Sequence, residues 1–188
     1  MAKLSKNKLR LGVLVSGNGT NLQAILDACK QGTLGDEVVL VVSNNAEAYA
    51  LTRAKKHQVP TLVTGQEPEM IAALQNADVA LICLAGFMKI LSPVFVRTFP
   101  RRIINIHPSL LPAFPGLQSI RQALEAGVTT TGVTVHFVDE GVDTGPIILQ
   151  EKLDVLKTDT VESLTERIHQ LEHRLYCQAI QKIAKGEL

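Results

Sequence analysis

Leu11-Gly12-Val13-Leu14-Val15-Ser16-Gly17-Asn18-Gly19-Thr20-Asn21-Leu22 carries a short apolar run into a polar turn with two glycines, after which Leu22, Ile25, Leu26 and Cys29 fall at helical spacing. That pattern reads as strand, glycine turn and helix. The run Val38 to Val42 stops at Ser43-Asn44-Asn45, and Ala46 to His57 then reads as a second helix before Val59-Pro60 starts another extended piece. Glu67 to Asn76 predicts a third helix, and Asp78 to Leu84 is a continuous apolar run of the kind found where helices cover both faces of a sheet. Strands alternating with helices predict an α/β fold with a doubly wound, mostly parallel sheet.

Further along, Ser92-Pro93 supplies an N-cap and a first-turn proline, and Gln118 to Ala126 reads as a helix closed by Gly127. Thr131 to Val138 alternates, with Val133, Val135 and Phe137 on one face and Thr134, His136 and Val138 on the other. Pro146 to Gln150 follows after only a short loop, so these two runs are expected to pair antiparallel. Thr160 to Lys185 is the longest helical pattern, and Val161, Leu164, Ile168, Leu171, Leu175 and Ile180 mark its buried face. The fold class is therefore Rossmann-like, with a late antiparallel strand pair and a long C-terminal helix.

The 188 residues suit one domain, residues 1–188, of which residues 1–9 are expected to form a flexible polar tail. With 46% apolar and 20% charged residues, the composition is that of a soluble globular protein. A net charge of +1 with 4% aromatic residues leaves no electrostatic footprint for nucleic acid, so an anionic ligand must be held locally. No segment is long and apolar enough to span a bilayer, and residues 1–10 lack the apolar run of a secretory signal. Cys29, Cys83 and Cys177 form no paired spacing and read as reduced packing residues, which points to the cytoplasm.

Chemistry concentrates in Ile103-Ile104-Asn105-Ile106-His107-Pro108-Ser109-Leu110-Leu111-Pro112. In an extended chain Asn105 and His107 project to one side, about 6–7 Å apart. An amide donor beside an imidazole suits a reaction that develops an oxyanion on a carbonyl, although a strand end capped by polar groups fits the same spacing. The glycine turn lacks the third glycine of a dinucleotide fingerprint and the lysine of a P-loop. It suits a single phosphate at a helix N-terminus, or simply a tight turn. In the loop Asp139 to Pro146, Asp143 is the natural carboxylate partner for His107, where it would favour the imidazolium. No metal is expected there, because no further ligand lies at suitable spacing.

Taken together, Ser16 to Gln23, Leu84-Ala85-Gly86-Phe87-Met88-Lys89-Ile90-Leu91, Asn105 to Pro112, and Gly132 to Val138 through Asp143-Thr144-Gly145-Pro146 resemble the phosphoribosylglycinamide formyltransferases. These folate-dependent enzymes of purine biosynthesis are also called glycinamide ribonucleotide transformylases. The resemblance implies transfer of a formyl group from 10-formyltetrahydrofolate, as co-substrate, to the amine of glycinamide ribonucleotide without a metal. It implies His107 as proton donor, Asn105 as second oxyanion donor, and Asp143 as the group that favours protonated His107. It also implies Gly19, Thr20 and Asn21 at the substrate phosphate and Glu172 at the ribose. Met88, Lys89, Ile90 and Leu91, with Asn105, Asp139, Glu140, Gly141, Val142 and Asp143, would wall the folate pocket, largely through backbone groups.

The chain departs from the family pattern at three places. Lys89 stands where arginine is usual, Thr64 to Asn76 contains no arginine for the folate glutamate tail, and His169 stands where glutamine is common. His57 and His173 read as surface or helix-packing residues, and His136 as either structural or lining the site. The alternatives are a formyltetrahydrofolate deformylase, a tRNA formyltransferase, and a non-catalytic folate or nucleotide-binding module. The first two usually carry an added domain, which is not expected here, and the module has no need of the Asn105, His107 and Asp143 set. The expected partners are the two small-molecule substrates, with no nucleic acid or membrane, in a monomer or homodimer.

Overall fold

The computed structural model describes residues 8–187. Strands β1 (Arg10–Val15), β2 (Glu37–Ser43), β3 (Thr61–Val63), β4 (Leu81–Leu84), β5 (Ile103–His107), β6 (Thr130–Phe137) and β7 (Ile147–Asp154) form one sheet in the order β3-β2-β1-β4-β5-β6-β7. Pairing is parallel from β3 across to β5 and antiparallel from β5 to β6 and β6 to β7. The mostly parallel sheet and its late antiparallel pair thus take the form the sequence predicts. Strand order reverses at β1, which has β2 on one side and β4 on the other, so a crevice opens beyond their carboxyl ends.

Helices α1 (Thr20–Lys30), α2 (Tyr49–Lys56), α3 (Glu67–Asn76), α4 (Pro93–Thr98), α5 (Ser119–Glu125) and α6 (Val161–Ala184) cover the two faces. On one face Leu22, Ile25, Ala50 and Ala54 pack with Leu164, Ile168, Leu171 and Tyr176 against Val13, Cys83, Ile104 and Ile106. On the other, Met70, Leu74, Phe95 and Phe99 pack against Leu14, Val42, Ile82 and Ile103. The Tyr176 hydroxyl, fully buried, donates toward the Leu84 carbonyl at 2.9 Å, with the Ile104 carbonyl at 3.2 Å, and so ties α6 to β4 and β5.

Several features differ from the sequence reading, among them that β7 runs on to Asp154 and not only to Gln150. Helix α2 starts at Tyr49 and not at Ala46, because the Asn45 side chain accepts from the Glu47 N–H at 3.0 Å and holds a turn there. β4 starts at Leu81 and not at Asp78, because the Asp78 and Val79 N–H groups bond back to Gln75 and Leu74 at the end of α3. Val161 is 40% exposed, so the first turn of α6 stands clear of the core, and Thr160 with Ser163 forms a capping box there. The expected tail falls mainly on residues 1–7, outside the described residues. Leu9, at its end, donates its N–H to Asp36 at 3.2 Å and accepts from the Glu37 N–H at 3.0 Å.

Candidate active site

In β5, Ile104 and Ile106 point into the α6-side core, so strand alternation turns Asn105 and His107 to the opposite face with Ile103. The antiparallel register sets Asn105 opposite His136 and His107 opposite Thr134. The loop from β6 to β7 then returns Asp143 over this strand end. Its Oδ2 lies 3.3 Å from His107 Nδ1, and its Oδ1 lies 3.4 Å from Asn105 Nδ2 and 3.5 Å from His136 Nε2. The Gly116 N–H donates to the same carboxylate at 2.8 Å.

Burial opposes the charge on Asp143, but the hydrogen bond with His136, the Gly116 N–H and the charges of His107 and His136 outweigh it and hold the carboxyl below its ordinary value. His107 is buried, and its Nε2 lies 2.8 Å from the Phe114 carbonyl. Both ring nitrogens therefore face acceptors, and only the imidazolium offers a donor to each. His136 Nδ1 lies 2.8 Å from the Phe137 carbonyl, leaving Nε2 toward Asn105 Nδ2 at 3.3 Å. That resolves its place: His136 belongs to the buried polar cluster and not to the packing alone.

The loop that carries Phe114 is pinned from below by Thr134. Its hydroxyl donates to the Ser109 carbonyl at 2.7 Å and accepts from the Leu111 N–H at 3.1 Å and the Gln150 amide at 2.8 Å.

At the glycine turn, Gly19 is the α1 N-cap with φ 75, and a Cβ there would meet Ala50 Cβ at 2.5 Å. No side chain caps α1, so its first N–H groups and the positive end of its dipole face the crevice. Arg53 grips the turn through the Asn18 carbonyl and side-chain oxygen, each at 2.8 Å. Asn21 Nδ2 donates to Glu172 at 3.0 Å, which brings together the positions that the resemblance assigns to phosphate and ribose. Burial pushes the Glu172 carboxyl up to about 7, against the opposing effect of the Asn21 hydrogen bond. His169 and His173 stack beside it with ring centroids 6.4 Å apart, and burial lowers both from the ordinary histidine value. The charges of His169 and Arg53 lower His173 further.

The chain matches the formyl transferase family model over residues 9–180. It belongs to that family. At 44% identity it is similar to the phosphoribosylglycinamide formyltransferase of Haemophilus influenzae, over 95% of this chain and 89% of that protein. The trifunctional purine biosynthetic protein adenosine-3 of Drosophila pseudoobscura is 48% identical over 98% of this chain, which spans 14% of that longer protein. The crystal structure of glycinamide ribonucleotide transformylase 1 from Symbiobacterium toebii matches with a TM-score of 0.93 at 49% identity, covering 95% of this chain and 89% of that one.

In this chain the positions expected around the folate differ in how they are presented. Met88 is 66% and Ile90 73% exposed, and Val142 is also open, whereas Leu91 is buried in the core on the α3 and α4 side. Lys89 folds back to donate to the Gly65 carbonyl at 2.7 Å, and Glu140 pairs with Arg97 at 3.0 Å. Asp139 accepts from the Gly141 N–H at 3.0 Å and the Thr144 hydroxyl at 2.7 Å, which shapes the loop that delivers Asp143. A cleft of about 700 Å³ lies instead at the amino ends of β1 and β2, lined by Arg10, Lys30, Asp36, Glu37 and Lys56. It shares no residue with the strand-end cluster. Among the described residues, no group of three or more His, Cys, Asp or Glu side chains is arranged to hold a metal ion, and no helix is long and apolar enough to cross a membrane.

Proposed function

We infer that the chain transfers the formyl group of 10-formyltetrahydrofolate to the amine of glycinamide ribonucleotide, giving formylglycinamide ribonucleotide and tetrahydrofolate in de novo purine biosynthesis. The convergence of Asn105, His107 and Asp143 at one strand end carries this reading, and membership of the formyl transferase family supports it.

Attack of the amine on the formyl carbon forms one C–N bond and places charge on the formyl oxygen. Asn105 Nδ2 and the His107 imidazolium are the donors available to that oxygen. Collapse breaks the bond from carbon to the folate nitrogen, and the proton lost by the attacking amine balances the one gained by the departing nitrogen. For His107 to donate, its Nε2 exchanges the Phe114 carbonyl for substrate while Asp143 keeps the ring oriented. Exposed apolar Met88, Ile90 and Val142, on the loops around this polar centre, suit a flat co-substrate with polar edges. The open α1 N-terminus, with Gly19, Thr20 and Asn21, suits the acceptor phosphate, and Glu172 suits its ribose hydroxyls.

The compartment proposed is the cytoplasm, in keeping with three free thiols. Residues 1–188 act as one domain, as a monomer or homodimer. The test follows tetrahydrofolate release from 10-formyltetrahydrofolate with and without glycinamide ribonucleotide. Release that requires the ribonucleotide, with formylated product, is expected, and equal release without it would identify a hydrolase.

A further inference from the structure

Ser16 directly follows β1, and every polar group it owns is engaged. Its N–H donates to the Gly86 carbonyl at 3.1 Å, and its hydroxyl accepts from the Met88 N–H at 2.7 Å. The same hydroxyl donates to Asn44 Oδ1 at 2.7 Å, and the Ser16 carbonyl accepts from Asn45 Nδ2 at 3.2 Å. One residue therefore ties the loop after β4 and the loop after β2 to the root of the glycine turn. Gly19, three residues on, opens the helix end assigned to the acceptor phosphate, and Met88 opens the Met88 to Leu91 segment assigned to the folate. Only a hydroxyl can accept from one loop and donate to the other with a single atom.

We propose that Ser16 is a positioning residue that couples the two substrate subsites, so that occupancy of one favours the productive geometry of the other. The proposal rests on the formyl-transfer reading above. The bonds to Gly86 and Asn45 are made by backbone groups and survive side-chain truncation, whereas Ser16→Ala strips the Met88 N–H and Asn44 Oδ1 of their shared partner. Met88 is exposed, so water can satisfy its N–H, and the segment keeps its solvation and the Gly86 bond while losing the hydroxyl that fixes Met88 to the turn.

The test titrates glycinamide ribonucleotide and tetrahydrofolate, each alone and each in the presence of the other, into wild type, Ser16→Ala and Ser16→Thr. This pair forms a ternary complex without reacting, so the coupling factor is read apart from catalysis. Wild type is expected to bind each ligand more tightly in the presence of the other. Ser16→Ala is expected to lose that mutual enhancement and about tenfold in kcat/KM, chiefly through KM, and Ser16→Thr, which keeps the hydroxyl, to recover both. Absence of coupling in wild type, or coupling and KM unchanged in Ser16→Ala, overturns the proposal. So does a variant that only melts earlier and loses kcat with its coupling intact. A wild type that shows the coupling but transfers no formyl group leaves this proposal standing and defeats the reading of function instead.

Discussion

His107 Nδ1 faces Asp143 Oδ2 at 3.3 Å while His107 Nε2 faces the Phe114 carbonyl at 2.8 Å, so one imidazole bridges a carboxylate and a loop carbonyl. The two sides are not equivalent. Asp143 is itself fixed by the Gly116 N–H and its approaches to His136 and Asn105, whereas the Phe114 carbonyl is a single neutral acceptor that a charged oxyanion can outcompete.

His107→Ala and Asp143→Ala are each expected to lower kcat by about 10²- to 10⁴-fold while retaining the far-ultraviolet circular dichroism of the fold. Steady-state kinetics with saturating substrates checks this, and a His107→Ala enzyme of full activity would remove the mechanism. The Asp143 carboxyl is held below the 3.8 of its unfolded state, so its stabilising contribution is complete above that pH and lost as pH falls through the folded value. Asp143→Asn should accordingly flatten the acid limb of stability below about pH 4.

Gly19→Ala meets two penalties at once, a left-handed φ of 75 and a Cβ placed 2.5 Å from Ala50 Cβ. A loss of about 2 kcal/mol is expected, read by urea denaturation. The KM for glycinamide ribonucleotide should rise more than that for 10-formyltetrahydrofolate, because the displaced turn opens the helix end assigned to the phosphate.

The parallel strands and their glycine turn were legible because apolar runs and helical spacing are local patterns, and Asn105 and His107 were legible because strand alternation alone puts them on one side. Asp143 could be chosen as a partner from its loop, but its contact with His136 depends on the register that sets Asn105 opposite His136. That antiparallel register is the signal that would have placed His136 in the cluster. The grip of Arg53 on Asn18 and the bonds of Ser16 to Asn44 and Met88 join residues 28 or more apart in sequence, and no periodicity encodes them. Leu91 illustrates the converse, since its motif position is clear while its side chain is spent on the core.

Glu172 predicts a second pH dependence, of opposite sign. Burial raises its carboxyl from 4.5 to about 7 in the folded protein, so folding favours the protonated form. Its contribution is complete below the unfolded value and is lost as pH rises through about 7, a fall on the order of 3 kcal/mol. Glu172→Gln keeps an acceptor for the Asn21 amide without the charge, and it should be more stable than wild type at pH 8 and equal to it near pH 4. Chemical denaturation of both proteins across that range decides, and parallel curves would show that the buried carboxylate is stabilised by more than Asn21.

Thr134 offers a test of how the site is held from beneath. Thr134→Val preserves shape but leaves the Ser109 carbonyl, the Leu111 N–H and the Gln150 amide short of a partner, the first two beside the fully buried Thr134. A loss of about 2–3 kcal/mol in stability is expected. Because the freed loop carries the Phe114 carbonyl that His107 must release, kcat should fall with KM for glycinamide ribonucleotide little changed. If instead both KM values rise together and kcat holds, the loop serves binding, and the exchange at His107 Nε2 is not what limits turnover.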